Sequence, residues 1–292
     1  MQYRELGKTG QKLSVIGFGG IVVVGHDQPE ANRLVAEAVE RGVSYFDVAP
    51  TYADGEAETK LGPALAPHRA GAFLACKTTQ RDAAGAQAEL DRSLERLQTD
   101  HFDLYQLHGV SSLAEVERIT APGGALETFV RAREAGKARF LGFSAHSSEA
   151  AVELLRRFPF DSVLLPLNFA GWEAGFGPEV VEAARGIGAG LLALKGMARR
   201  RLPEGTTRGS RPWPKCWYEP IADRRLAELA LNFTLSLPIT AAIPPGDIRL
   251  FRLALDVAAE PRPLAPEERA ELRRLAAAEG APIFDQRPGT GK

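Results

Sequence analysis

The chain has 292 residues, enough for two domains at about 150 residues each or for a single α/β barrel. Hydrophobic residues make up 45% and charged residues 25%, the ordinary mix of a soluble globular protein. The 36 basic and 37 acidic side chains leave a net charge of -1, which excludes a basic nucleic-acid module and gives an anionic membrane nothing to attract.

The polar start, MQYRELGKTGQKLS, has no apolar core of signal-peptide length. Tyr3–Leu13, turning through Gly7–Gly10, predicts a short hairpin suited to a lid at the base of a barrel. Short apolar runs then alternate with segments of helical spacing. Leu13–Phe18 precedes the amphipathic stretch Ala31–Arg41, and Val43–Asp47 and Ala72–Lys77 precede Ala86–Leu97. Phe102–Leu107 leads to Leu126–Glu134, Ala138–Ser144 to Glu149–Arg157, and Ser162–Leu167 to Glu179–Ala184. Gly190–Leu194 and Thr240–Ile243 complete the set of apolar runs, and Pro266 to Gly280 predicts a terminal helix before a tail, 281–292, expected to be flexible. No apolar run reaches 18 residues, so no membrane-spanning helix is expected. Cys76 and Cys216 are too few for a disulfide framework and lack metal-ligand spacing. A reducing cytoplasm and no metal are the expectations.

Eight short apolar strands, several of them nearly continuous in apolar character, alternate with helices and fit a closed (β/α)8 barrel or an open doubly wound sheet. The glycine-rich stretch GFGGIVVVG at Gly17–Gly25 runs into β-branched residues rather than a helix, so it is a poor phosphate turn. The strand count favours a barrel, read as one domain over residues 1–292. Chemistry in a barrel sits at the C-terminal strand ends. There the sequence presents Asp47 in SYFDVAPTY with Tyr52 just beyond, Lys77 in FLACKTT and His108 in FDLYQLHGV. Singly, each has a plain structural use: a turn cap, a surface phenol, a snorkelling lysine, a satisfied histidine. Converging on one mouth, they point to catalysis.

The stretches RELGKTGQKLSVIGFGG, YFDVAPTYADGEAETKLGPAL, LACKTT, DRSLERLQTDHFDLYQLHG and GKARFLGFSAHS resemble the aldo-keto reductase family, over Tyr3 to about Leu264. The resemblance implies a TIM barrel, NAD(P)H-dependent reduction of a small carbonyl substrate, and a catalytic tetrad of Asp47, Tyr52, Lys77 and His108. It further implies that Ser144 and Asn168 contact the nicotinamide carboxamide, although Ser144 could instead cap the next helix and Asn168 could form a turn. Leu194 stands where many relatives carry a stacking aromatic, and Lys195 keeps half of a Met-Lys pattern and is expected to reach the pyrophosphate. Behind the last strand, in AAIPPGDIRLFRLALD, Gly246 forms the Pro-Gly turn and Ile248 replaces an expected Arg. Arg249, Arg252 and Asp256 are the remaining candidates for the adenosine end. NADP(H) is expected ahead of NAD(H), with Asp247 opposing a 2′-phosphate. The long irregular stretch Ala198–Pro220 is expected over the mouth. Its Trp213, Trp217 and Tyr218, together with Trp172, would line an apolar substrate pocket. In the reduction that the resemblance implies, hydride addition to a carbonyl leaves an alkoxide to be stabilised and protonated. Tyr52 can supply that proton, Lys77 can favour the phenolate and lower the phenol's pKa, and Asp47 can hold Lys77 charged. His108 can hydrogen-bond the carbonyl oxygen, whereas the hydride must come from a cofactor. Two rival readings are a nucleotide-binding regulatory protein with little turnover and a Schiff-base enzyme with Lys77 as nucleophile.

Overall fold

A computed structural model describes residues 1–278 and 282–284. Strands β1 (Tyr3–Glu5) and β2 (Lys12–Ser14) form the predicted antiparallel hairpin. Then come β3 (Phe18–Gly19), α1 (Gln28–Glu40), β4 (Tyr45–Asp47), α2 (Glu56–Leu65), β5 (Phe73–Thr78) and α3 (Ala83–Arg96). Next are β6 (Phe102–Val110), α4 (Leu113–Thr120), α5 (Ala125–Glu134), β7 (Ala138–Ala145), α6 (Ser148–Arg157) and β8 (Ser162–Pro166). After α7 (Phe169–Glu173), α8 (Pro178–Ile187) and β9 (Gly190–Leu194), a ribbon pairs β10 (Ala198–Arg201) with β11 (Tyr218–Pro220). The chain ends with α9 (Arg224–Ser236), β12 (Ala241–Ile243), α10 (Ile248–Ala259) and α11 (Pro266–Ala278).

Strands β3 to β9 and β12 form one eight-stranded parallel sheet in sequence order. Its seam is closed by residues just before β3. The Gly17 N–H donates to the Ala242 carbonyl at 2.9 Å, and the Ala242 N–H donates to that of Val15 at 2.9 Å. The result is a (β/α)8 barrel. The run Leu13–Phe18 is therefore not one strand as predicted. Its start pairs in the hairpin, its middle closes the barrel, and only its end joins β4. Gly17 permits this turn between partners, since a Cβ there would lie 2.5 Å from the Tyr45 ring.

The hairpin plugs the barrel from below. Leu6 and Leu13 are buried with Leu104, Leu164 and Leu192 inside the barrel. Gly190 opens β9 without a side chain, and a Cβ there would fall 2.3 Å from Leu6 Cδ1. A second apolar layer lies between strands and helices, where one face of each helix is buried. Among the described residues, the end left open is therefore the C-terminal one. Among the described residues no helix is long and apolar enough to cross a membrane. The predicted tail at 281–292 lies outside the described residues except for 282–284, and there Ile283 is buried against Tyr218 and Leu250.

Candidate active site

Parallel register sets Asp47 opposite Ala75 and Lys77 opposite Gln106, so the ends of β4, β5 and β6 rise together. Asp47 and Lys77 are almost fully buried and in direct contact through Oδ1 and Nζ. The other carboxylate oxygen, Oδ2, accepts from the Tyr45 hydroxyl at 3.0 Å and from Gln106 Nε2 at 3.1 Å. Lys77 also donates to the Val48 carbonyl at 3.3 Å. The ammonium lies 5.3 Å from the centre of the Tyr52 ring, and that ring meets His108 edge-to-face at 5.7 Å. Tyr52 starts a tight turn in which Ala53, Asp54 and Gly55 are all left-handed, with φ of 51°, 53° and 92°. Neither Tyr45 nor Gln106 was foreseen. Each stands two residues before a predicted site residue, and the two-residue period of a strand places it on the same face.

Burial works against the Lys77 charge, but Asp47 and Tyr52 outweigh it, and its pKa lies above the ordinary value. Burial also raises the Tyr52 phenol, with Lys77 only partly offsetting it. The expected depression of that pKa is thus corrected. Lys77 acts in the predicted direction, and desolvation is the larger effect. His108 is half-buried and held well below its ordinary value, first by burial and then by Lys77 and its other cationic neighbours. Its imidazole is therefore neutral at physiological pH, and its buried Nδ1 has no hydrogen-bond partner among the described residues.

These groups open into a cavity of about 290 Å³ bounded by Tyr52, His108, Ser144, Lys195, Tyr218 and Gly246. A model of the aldo/keto reductase family matches residues 15–243, a span that includes Asp47, Tyr52, Lys77 and His108. The chain belongs to the aldo/keto reductase family. The oxidoreductase YqkF of Bacillus subtilis, itself described as uncharacterized, is 25% identical across 92% of this chain and 94% of its own. L-galactose dehydrogenase of Arabidopsis thaliana is 28% identical across 70% of this chain and 68% of its own. The holo form of an aldo-keto reductase from Bacillus halodurans matches with a TM-score of 0.74 at 26% identity, covering 94% of this chain and 96% of that one. Carbonyl reduction is the general chemistry of such oxidoreductases, and the family uses nicotinamide cofactors.

In this aldo/keto reductase the predicted cofactor residues divide into two groups. Ser144, Lys195 and Gly246 line the mouth cavity. Ser144 does not cap α6, a role taken by Ser147. Its hydroxyl instead accepts the Gly109 N–H at 2.7 Å. Lys195 adopts a left-handed backbone, φ 64°, and points its ammonium over Trp217 and Tyr218 at 5.2 and 5.0 Å from the ring centres. It has no carboxylate partner among the described residues, and burial pulls its pKa down to about 8. The second group lies elsewhere. Asn168 caps α7, accepting the Gly171 N–H at 2.8 Å, and does not line the mouth. Arg252 pairs with Glu37 and Asp256 with Arg41, bonds that tie α10 to α1 outside the cavity. Arg249 is exposed, paired with Asp247 at 2.9 Å and stacked 4.2 Å over Trp213.

Of the predicted substrate aromatics, Trp217 and Tyr218 stand at the mouth. Trp213 faces a separate cavity of about 500 Å³ beneath the ribbon, and Trp172 packs against Phe233 at 6.4 Å. The segment between β10 and β11 does cross the mouth, since Lys215 Nζ donates to the Val22 carbonyl at 2.8 Å. Two basic side chains at the mouth escaped the sequence reading, Lys215 and His146. No group of three or more His, Cys, Asp or Glu side chains among the described residues could hold a metal. Lys195, without a carboxylate partner among the described residues, and the cleft running to Gly246 fit a nicotinamide dinucleotide.

Proposed function

We propose that this chain reduces an aldehyde or ketone to the alcohol with NAD(P)H, and that Tyr52 donates the proton. The observation that carries the reading is the Tyr52 ring lying between the Lys77–Asp47 pair and a neutral His108. A nicotinamide bound in the mouth supplies the hydride, which no side chain can provide. His108 offers its N–H to the carbonyl oxygen and fixes the angle of approach. Tyr52, whose raised pKa keeps the phenol protonated at neutral pH, passes its proton to the developing alkoxide. Lys77 stabilises the phenolate left behind, and Asp47, fixed by Tyr45 and Gln106, keeps Lys77 charged and aimed. A pure nucleotide-binding protein would have no use for this arrangement.

Ser144, Lys195 and Gly246 would hold the cofactor, Lys195 through the pyrophosphate charge. NADPH is placed ahead of NADH because Arg249 is exposed behind the last strand. The margin is small, because Asp247 already neutralises that guanidinium. Both cysteines are free and buried, which supports a reducing, cytoplasmic setting. The test is Tyr52→Phe, which keeps the ring and removes its acidic proton. Reduction of a panel of simple aldehydes should fall about 10²–10⁴-fold in kcat, with NADPH affinity nearly unchanged by fluorescence titration. Parent-level turnover in that variant would end the assignment of the proton donor, and tighter binding of NADH than of NADPH would reverse the cofactor order.

A further inference from the structure

His146 lines the same mouth as His108, one strand further round the barrel. Its backbone N–H donates to the Val110 carbonyl, which extends the pairing of β6 and β7 and carries the ring outward from the level of His108. The imidazole is held by packing rather than by hydrogen bonds. It stacks on Phe284 with ring centres 4.8 Å apart and planes 27° apart, and Phe284 is steadied in turn by Phe176 and Trp217. On the side facing β6 stands Gly109, where even a Cβ would lie 3.7 Å from His146 Cε1. Neither ring nitrogen has a hydrogen-bond partner among the described residues, and the ring opens to solvent through the cavity.

The surrounding walls and then Lys195 push the His146 pKa down to about 4, with Glu115 opposing. The mouth therefore holds two neutral imidazoles, and each keeps one N–H donor and one acceptor nitrogen. The register sets His108 level with Ser144 and His146 two residues further on, so the two residues are offset by about 6.6 Å along the strands and about 4.8 Å across them. Hydrogen bonds of about 2.9 Å reaching inward from each residue close that gap onto two oxygens carried on neighbouring carbons.

We propose that His146 is a specificity-determining contact that selects carbonyl compounds bearing a second oxygen beside the carbonyl, namely 2-hydroxy and 2-oxo aldehydes. The inference rests on the reductase reading. With a plain aldehyde the His108 contact forms and His146 keeps only water. With a vicinal oxygen both are satisfied.

Lactaldehyde and propanal differ by that single hydroxyl and test the idea directly. For the full-length protein with saturating NADPH, His146→Leu should lose about tenfold more kcat/KM on lactaldehyde than on propanal, the loss of one hydrogen bond. The difference should appear in KM, because the contact forms at binding. His146→Gln, which keeps a donor and an acceptor, should retain most of the discrimination. Equal losses on the two substrates, or a ratio unchanged in His146→Leu, would overturn the proposal while leaving the reductase reading intact. Absence of turnover on both substrates in the parent, with either nucleotide, would overturn the reductase reading and this inference with it.

Discussion

An ammonium taken out of water costs several kcal/mol unless an opposite charge meets it. Lys77 is 1% exposed, and its charge survives because Asp47 is locked from three sides. Removing Lys77 would leave a buried carboxylate without its cation, a loss of about 3–5 kcal/mol in comparable pairs, so that substitution confounds folding with catalysis. Lys195 is the cleaner probe of charge, since no carboxylate depends on it. Its pKa of about 8 lies below the ordinary lysine value, so it is charged below that pH and loses its charge as the pH rises through it. NADPH affinity should therefore weaken about tenfold between about pH 7 and 9, as one charge-assisted contact to the pyrophosphate is lost. His108 stays neutral across this range and adds nothing to the trend. Fluorescence titration across the range is the check, and the same slope in Lys195→Met would remove Lys195 from the cofactor site. Lys77 and Lys195 were legible in the sequence because each closes an apolar strand in a chain with few lysines. His146 was passed over although it directly follows the end of β7; only the stacking of its ring on Phe284 depends on a residue far along the chain.

At the scale of elements, what the sequence concealed was structure made by long-range contact. Helix α2 contains Gly62 and Pro63, both poor helix signals, yet Gly62 is needed there. A Cβ would lie 2.7 Å from the backbone of Leu97 at the end of α3. In helix α9 the run 229–235 is continuously buried, so the second half of the helix shows no exposed face to mark it. The β10–β11 ribbon carries charge where strands carry apolar residues, and Glu219 pairs with Arg199 and Arg200 to hold it. The segment between those strands was readable only as a covering for the mouth. Its latch is physical: Lys215 reaches the Val22 carbonyl, and Trp213 lies under Arg249. A half-exposed, charge-assisted hydrogen bond contributes about 1 kcal/mol, or roughly fivefold in a rate. Lys215→Ala should accordingly speed both association and release of NADPH several-fold in stopped-flow fluorescence, with a smaller change in Kd. Rates equal to the parent's would show that the segment does not gate the cleft.

For the whole molecule, the alternation of apolar runs and helical stretches was enough to read the barrel, and the strand ends were enough to bring Asp47, Tyr52, Lys77 and His108 to one mouth. The mode of closure was not readable, because it depends on a hairpin and a seam that share one short run of sequence. That closure separates two ends with different duties. The base is filled by Leu6, while the proposed site lies at the opposite mouth. Leu6→Ala should cost about 3–5 kcal/mol by leaving a cavity among Leu104, Leu164 and Leu192, and aldehyde turnover at 25 °C should stay near the parent's. Gly190→Ala should also destabilise, for the opposite reason, since its new Cβ would press on Leu6 at 2.3 Å. Combined, the two changes should offset each other in part. The added methyl enters space that Leu6 has vacated, although the Gly7 nitrogen at 3.0 Å from that Cβ position keeps the fit tight. Urea unfolding of the parent, the two single variants and the double variant measures the coupling. A double variant less destabilised than the sum, by about 1 kcal/mol or more, is expected for side chains sharing one space. Strict additivity would mean that the hairpin and β9 do not meet at Leu6, and the plugged base would then have to be abandoned.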